Sequence, residues 1–436
     1  MGQLSSLFNR RALTQFFFLL GAVILMGFLI NAFTWFSVNT VSFSNQYIFA
    51  YTTNWLGTAL FYSGVVVGLI VTFLADTRTF FSKTLSTLAM FFFFGAIWLF
   101  VNETNILNLF LYYELFLLPS FFIVYFLSPN RRSILAAIYF LTWTQFGSLL
   151  VLVGILRLQS IHGGYSFETG IVTRDTTAAL LILIGFGIKI PMWPFYYWLT
   201  KTHVEASSFF SIYLSGFLVK TAVYLFVKFY SILDATNLGF IFLSLFVIGV
   251  IDSSIKMWHQ TDLKKLIAYT TVQEMNLLVI PILFNDVAGE IIVALFVATH
   301  CILSSLLFFY IDVITKRFAT RATSQITGLS HVMPTFSAII FATWLGFTGL
   351  PYTIKFTLEL WIFTSLLTTN ALVFIILIVS MNIIGLIGFS KHLFNTMFGS
   401  PVIAQAVVYD LTRRELSIFV FLLVNLVLLN SVTLFA

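Results

Sequence analysis

Apolar residues run along this chain in blocks of about twenty, separated by short polar joints. The blocks predict membrane spans over 12–37, 55–75, 84–102, 104–127, 133–157, 177–200, 206–231, 236–256, 264–284, 288–313, 331–366, 370–392 and 415–435. The strict alternation of an outer-membrane barrel strand is absent. The block 331–366 is too long for one straight helix, and Gly349, Leu350 and Pro351 interrupt it. The block 177–200 carries Pro191 and Pro194, neither of which can continue a helical hydrogen-bond ladder. Both therefore predict spans broken inside the membrane, where freed backbone is tolerated only against protein or water. The breaks fall in the sixth and eleventh of thirteen spans. An odd offset reverses direction, so spans 3–7 and 8–12 predict two inverted five-helix repeats. The expected fold is an all-α polytopic membrane protein: N-terminal spans over 1–83, a first repeat over 84–231, a second over 236–395, and a loop with a final span over 396–436.

Composition sharpens this picture. Of 436 residues, 60% are hydrophobic and only 9% charged, which excludes a soluble domain. The net charge of +6 does not point to nucleic acid, because the basic residues sit in short joints between spans. One set of alternate span ends holds Arg10, Arg11, Arg131, Arg132, Lys201, Lys264, Lys265, Lys316, Arg321, Arg413 and Arg414, whereas the opposite ends hold Arg157 and Arg174. That bias predicts an inside N-terminus and an outside C-terminus. Arg10-Arg11 before the run from Ala12 reads as a retained first span rather than a cleaved leader. The single Cys301 excludes a disulfide frame and a thiolate-held iron–sulfur cluster, so any redox chemistry belongs to another chain. The 53 phenylalanines fit an AT-rich organellar genome and fit the packing demand of a bilayer equally.

Against this apolar background, five ionisable residues fall near span centres: Glu114, Lys189, Lys220, His300 and Glu359. A charge at mid-bilayer costs about 2.5–3.5 kcal/mol on insertion scales, so each needs a partner, water, or loss of its charge. One such residue is ordinarily a polar group bonded to a neighbouring helix. Five at one depth predict a proton relay instead, because buried carboxyl, amine and imidazole groups exchange protons near neutral pH. Glu114 and Lys189 form the candidate switch pair. Secondary candidates are Glu274, toward the middle of the ninth span, and Lys355, four residues before Glu359 and spaced to pair with it on one helix face. By composition alone, His203 and Glu205 belong to a solvated hinge. The remaining histidines, His162, His259, His331 and His392, lie in joints or at span ends, with no metal-ligand spacing.

The segments IGFGIKIPMWPFYYWL, KTHVEA, QTDLKKLIAYTTV, ATHCILSSLLF and LPYTIKFTLEL resemble the antiporter-like membrane subunits of respiratory NADH:ubiquinone oxidoreductase (complex I), in order and with matching spacing over about residues 84–395. Within that family, HVEA together with a glutamate at position 359 sets one member apart from two relatives that usually carry lysine there. The resemblance assigns Glu114, Lys189, Lys220, His300 and Glu359 to a proton path, with Lys220 as the bridging lysine and Glu359 opening to the outer side. It implies no cofactor on this chain, with flavin, iron–sulfur clusters and ubiquinone on partner subunits. It implies neighbouring membrane-arm subunits and lipid as partners, and the mitochondrial inner membrane with the N-terminus in the matrix. The chain departs from the family pattern in three places. Glu114 lies on the fourth predicted span instead of the fifth, as if one N-terminal helix were missing. Val272-Gln273-Glu274-Met275 replaces a usual histidine, and Ser207 stands where a proline is usual. Two other readings remain open: a free-standing cation/proton antiporter subunit, and a membrane scaffold that no longer pumps.

The topology is testable by accessibility labelling. Arg131, Lys264 and Arg321 are expected on one face, the matrix face, and labelling of any of them from the opposite face would sink the thirteen-span arrangement.

Overall fold

A computed structural model of the chain describes residues 55–74, 92–127, 131–162, 167, 175–233, 236–284, 287–400 and 409–434. The predicted first span over 12–37 lies outside the described residues. Among those described, eight helices are long and apolar enough to cross a membrane. In chain order the helices are α1 (Trp55–Leu74), α2 (Phe92–Asn102), α3 (Ile106–Leu127), α4 (Arg131–His162), α5 (Thr176–Lys189), α6 (Tyr197–Glu205) and α7 (Ser208–Ile232). They continue as α8 (Thr236–Trp258), α9 (Leu263–Val279), α10 (Val287–Phe318), α11 (Pro334–Phe347), α12 (Ile354–Thr369), α13 (Ala371–Met397) and α14 (Arg413–Leu434).

Burial sorts these helices into layers. α7, α9 and α10 bury nearly their whole length, while α3, α4, α13 and α14 expose more than half of theirs. Exposed leucines, isoleucines and phenylalanines on the outer helices, such as Leu115, Phe122, Leu149, Leu372 and Ile375, meet lipid or a neighbouring chain rather than water. α7, α9 and α10 therefore form the most deeply buried part of the chain.

Both interrupted spans are discontinuous. α5 stops at Lys189, where Pro191 and Pro194 have no amide hydrogen to continue it. Phe195 N donates to Met192 O at 2.7 Å instead of to the carbonyl of Pro191, and α6 restarts the helix at Tyr197. Trp198 Nε1 reaches back to Ile188 O at 2.9 Å. In the second span α11 ends at Phe347 and α12 begins at Ile354. Gly349 turns the chain with φ of 65°, a conformation that disfavours a side chain, and a Cβ there would sit 3.2 Å from a Glu359 carboxylate oxygen. The start of α12 is capped by Thr353 Oγ1 and by Asn430 Oδ1 of α14, the latter accepting from Ile354 N at 2.9 Å.

Two features depart from the sequence pattern. α6 continues through His203 and Glu205, and the turn comes at Ala206–Ser207, with Ser207 Oγ capping α7. His203 is fully buried, so the solvated-hinge reading does not hold for it; its ring stacks on Phe308 of α10 at 4.7 Å between centroids. α7 also contains a wide π turn over Leu214–Leu218, which no proline announces.

Lys189 is placed by close backbone packing. α4 and α5 meet at Gly147 and Gly185, where an added Cβ would lie 2.7 Å and 2.6 Å from the opposite carbonyl oxygen. At the α5 N-terminus, Asp175 caps the helix and accepts from Arg157 Nε at 2.5 Å. The Arg157 hydrogen bond, seconded by Thr177, holds its carboxyl down to about 2. Gly147→Ala is expected to force α4 and α5 apart at a cost of about 1–3 kcal/mol, read as a lower thermal-unfolding midpoint of the purified protein; an unchanged midpoint would contradict the close approach.

Candidate functional site

The first pair lies between α3 and α5. Lys189 Nζ donates to Glu114 Oε1 at 3.1 Å and sits 3.9 Å above the Tyr113 ring. Glu114 also accepts from Ser148 Oγ at 2.5 Å and Gln145 Nε2 at 3.2 Å, both on α4. The ammonium is almost completely buried and the carboxylate is 18% exposed. Removing Glu114 would take away the carboxylate that pairs with the buried Lys189 ammonium.

The second group is a continuous line through α7, α10, α9 and α12. Lys220 Nζ is 3.0 Å from His300 Nδ1, and it also donates to the carbonyl of Ser215 inside the π turn. His300 Nε2 lies 3.6 Å from Glu274 Oε2. The other oxygen of Glu274 is bonded by Lys355, and Lys355 lies 3.6 Å from Glu359. Lys355 donates as well to Phe347 O, a carbonyl freed by the second break. With Lys220 protonated, His300 Nδ1 must accept, which puts the ring hydrogen on Nε2, toward Glu274.

The sequence candidates are thus drawn together unevenly. Lys220, His300 and Glu359 belong to one line, and the secondary candidates Glu274 and Lys355 fill the space between the last two. Lys355 and Glu359 do face each other on one helix, and the pair is buried and not at the surface. Lys189 and Glu114 form a separate pair, and among the described residues no hydrogen bond or ion pair joins them to Lys220. Glu205 lies at the end of α6, outside both groups.

Formal charge balances across the set: three lysines (189, 220, 355) against three glutamates (114, 274, 359) give zero with His300 neutral. The balance is not local. Lys189 and Lys355 touch carboxylates, whereas Lys220 touches a histidine and a carbonyl, and its nearest counter-charge in the line is Glu274, beyond His300. Lys220 is the member of the set that could lose its proton without stranding a contacting anion.

Sequence reasoning missed the polar surroundings. Ser215 Oγ and Thr271 Oγ1 are 3.2 Å apart beside Lys220. A cavity of about 630 Å³ opens beneath α6, lined by Ser207, Asp262, Lys264, Asp312, Thr315 and Arg321. Lys264 is buried and donates to Ala206 O, and Arg321 Nη1 donates to Val204 O at 2.6 Å. His203 lies just above, with neither ring nitrogen hydrogen-bonded to protein. Lys264 and Arg321 carried no signal, since a lysine or arginine at a span end looks like any interfacial charge.

The family described as NADH:quinone oxidoreductase/Mrp antiporter, TM, matches residues 103–385. The chain is 37% identical over 408 residues to the NADH-ubiquinone oxidoreductase chain 4 of Paramecium tetraurelia, covering 92% of this chain and 85% of the relative. It is 31% identical over 333 residues to the protein of the same name from Arabidopsis thaliana, covering 74% and 67%. In fold it is similar to a chain of respiratory complex I from Thermus thermophilus with bound NADH (TM-score 0.75, 18% identity, 96% of this chain and 94% of that one). It is also similar to a chain of the Mrp complex from Dietzia sp. (TM-score 0.74, 18% identity, 90% and 76%).

Breaking a buried pair leaves an uncompensated charge at a cost of about 3–5 kcal/mol, whereas removing both partners in favour of apolar groups is often neutral. Glu114→Leu is therefore expected to destabilise the protein strongly, because it strands the buried Lys189, and Glu114→Leu with Lys189→Met to recover most of the loss. Thermal unfolding of the two variants checks this; a double variant no more stable than the single would contradict the pairing.

Proposed function

The chain belongs to the NADH:quinone oxidoreductase/Mrp antiporter membrane family, and we propose that it works in that family as a proton-translocating membrane-arm subunit of respiratory complex I, passing protons along its own buried residues. The observation that carries the reading is the contact line Lys220–His300–Glu274–Lys355–Glu359, which crosses the buried centre of the chain with Glu114–Lys189 beside it. The electron transfer that drives it takes place on partner subunits, which hold the flavin, iron–sulfur clusters and ubiquinone.

In this mechanism Lys220 gives its proton to His300 Nδ1 while the Nε2 hydrogen moves to Glu274. Glu274 then returns a proton to Lys355 as Lys355 gives one to Glu359, so the bonds made and broken balance at each step. The Glu114–Lys189 pair sets the field that Lys220 experiences: closing it shields the Lys189 charge, and opening it exposes that charge to Lys220. The cavity at Lys264 and Asp312, with His203 above it, gives protons their access from the inner side. Each proton moved against 100 mV requires about 2.3 kcal/mol, a load within reach of such charge rearrangements.

The finer placement is part of the same proposal: thirteen spans in two inverted repeats, in the mitochondrial inner membrane, with the N-terminus in the matrix and the C-terminus in the intermembrane space. Neighbouring antiporter-like subunits and lipid cover the apolar outer helices. A free-standing cation/proton antiporter subunit is the second reading, favoured by the fold likeness to the Mrp complex. The extent of likeness to NADH-ubiquinone oxidoreductase chain 4 relatives supports the first, and co-purification with flavin and iron–sulfur proteins separates the two.

Lys220→Met is expected to reduce proton pumping and coupled NADH oxidation while leaving assembly largely intact. Lys228→Met, eight residues along the same helix near its outer end, is expected to do much less. Pumping and NADH oxidation measured in sealed vesicles check both; equal effects, or normal pumping by the Lys220 variant, would falsify the relay.

A further inference from the structure

α9 reaches three of the discontinuities in the core. Its Thr271 hydroxyl meets Ser215 in the π turn of α7 at 3.2 Å. Its Glu274 binds Lys355 at the second break. Its Asn276 donates from Nδ2 to Pro191 O, inside the first break, at 3.1 Å. The last contact replaces a missing helical bond. In a regular helix Pro191 O would accept from Phe195 N, but that amide has turned to Met192 O. The amide of a residue 85 positions away takes its place.

The fit is built from more than one side. Asn276 is fully buried, and the same Nδ2 donates to Val272 O at 2.7 Å, which fixes its rotamer. On α8, Gly249 leaves the room the amide occupies: a Cβ there would lie 2.4 Å from Asn276 Oδ1. Gln273, immediately before Glu274, is bonded to Ser254 of α8 at 2.8 Å. Four side chains within two turns, Thr271, Gln273, Glu274 and Asn276, thus lock α9 into its neighbours, and a regular helix transmits a displacement along its axis instead of absorbing it.

We propose that Asn276 is a positioning residue that couples the first break to the relay. Pro191 lies two residues after Lys189, and Asn276 two residues after Glu274. A shift of the first break as the Glu114–Lys189 pair opens or closes is carried by Asn276 into α9, and so to Glu274 and Lys355 at the second break. The two halves of the chain are joined mechanically as well as electrostatically. This inference rests on the proton-translocating reading above.

The test uses the assembled complex in sealed vesicles, with protons moved per NADH oxidised as the readout, alongside complex abundance on native gels and NADH oxidation by an artificial acceptor. Asn276→Leu keeps the volume and removes the donor. It is expected to lower the protons moved per NADH, toward the loss seen with Lys220→Met, while oxidation by the artificial acceptor is unchanged per complex. Gly249→Ala, which pushes on the amide from α8, is expected to reproduce the loss. Should Asn276→Leu fail to assemble, Asn276→Ala removes the same donor without bulk and is read the same way. A merely structural role would lower abundance and leave the ratio untouched, and that result overturns the inference. A normal ratio for Asn276→Leu beside a lowered one for Lys220→Met overturns the coupling alone, whereas normal ratios for both overturn the relay with it.

Discussion

The structure depends on keeping charge balanced in an interior that bulk solvent does not screen. The three lysines and three glutamates of the two groups sum to zero, with Lys264, buried beside the cavity, standing outside that count. A single uncompensated ion among them would cost several kcal/mol, on the scale of the stability of a whole domain. The arrangement therefore has to be made of pairs, and a pair can change only if its neighbour changes with it. Lys220 is the exception that gives the line direction, since it touches a histidine where its counterparts touch carboxylates. Neutrality is kept at one remove, through a group that can hold or release a proton on either side of its ring.

The helix breaks follow from the same demand. An unbroken helix spends its carbonyls on its own amides and has none to offer a cation. Each interruption here frees one: Ser215 O in the π turn for Lys220, Phe347 O at the second break for Lys355, and Pro191 O at the first for Asn276. The interruptions are thus sources of ligands at mid-depth. The π turn lies in the closely covered α7, and Pro191 and Phe347 are themselves buried, so these freed carbonyls meet protein, although Leu350 to Tyr352 of the second break face outward.

Much of this was legible in the sequence, for reasons that differ by residue. Glu114, Lys189, Lys220, His300 and Glu359 stand out because a titratable group inside twenty apolar residues is expensive. Pro191, Pro194, Gly349 and Pro351 mark the breaks because they have no amide hydrogen or no side chain. The π turn at 214–218 was not legible, since its residues keep ordinary right-handed helical backbone and no proline or charge marks it. The joint role of Glu274 and Lys355 was not legible either: they are 81 residues apart, and nothing local records which buried carboxylate meets which ammonium. His203 was misread as solvated because a polar hinge and a buried polar helix end have the same composition. Only tertiary packing, Phe308 against the ring and Ser207 moving the turn beyond it, distinguishes them.

The step that the contacts leave open is the passage between the Glu114–Lys189 pair and Lys220, and it carries the central claim that these groups act as one path. The most direct measurement is a structure of the assembled complex at a resolution that reveals ordered water. The account predicts water molecules at hydrogen-bonding separations between Lys189 and Lys220, and others against the unbonded nitrogens of His203 above the Lys264 cavity. Dry, close-packed aliphatic side chains filling both places would contradict it.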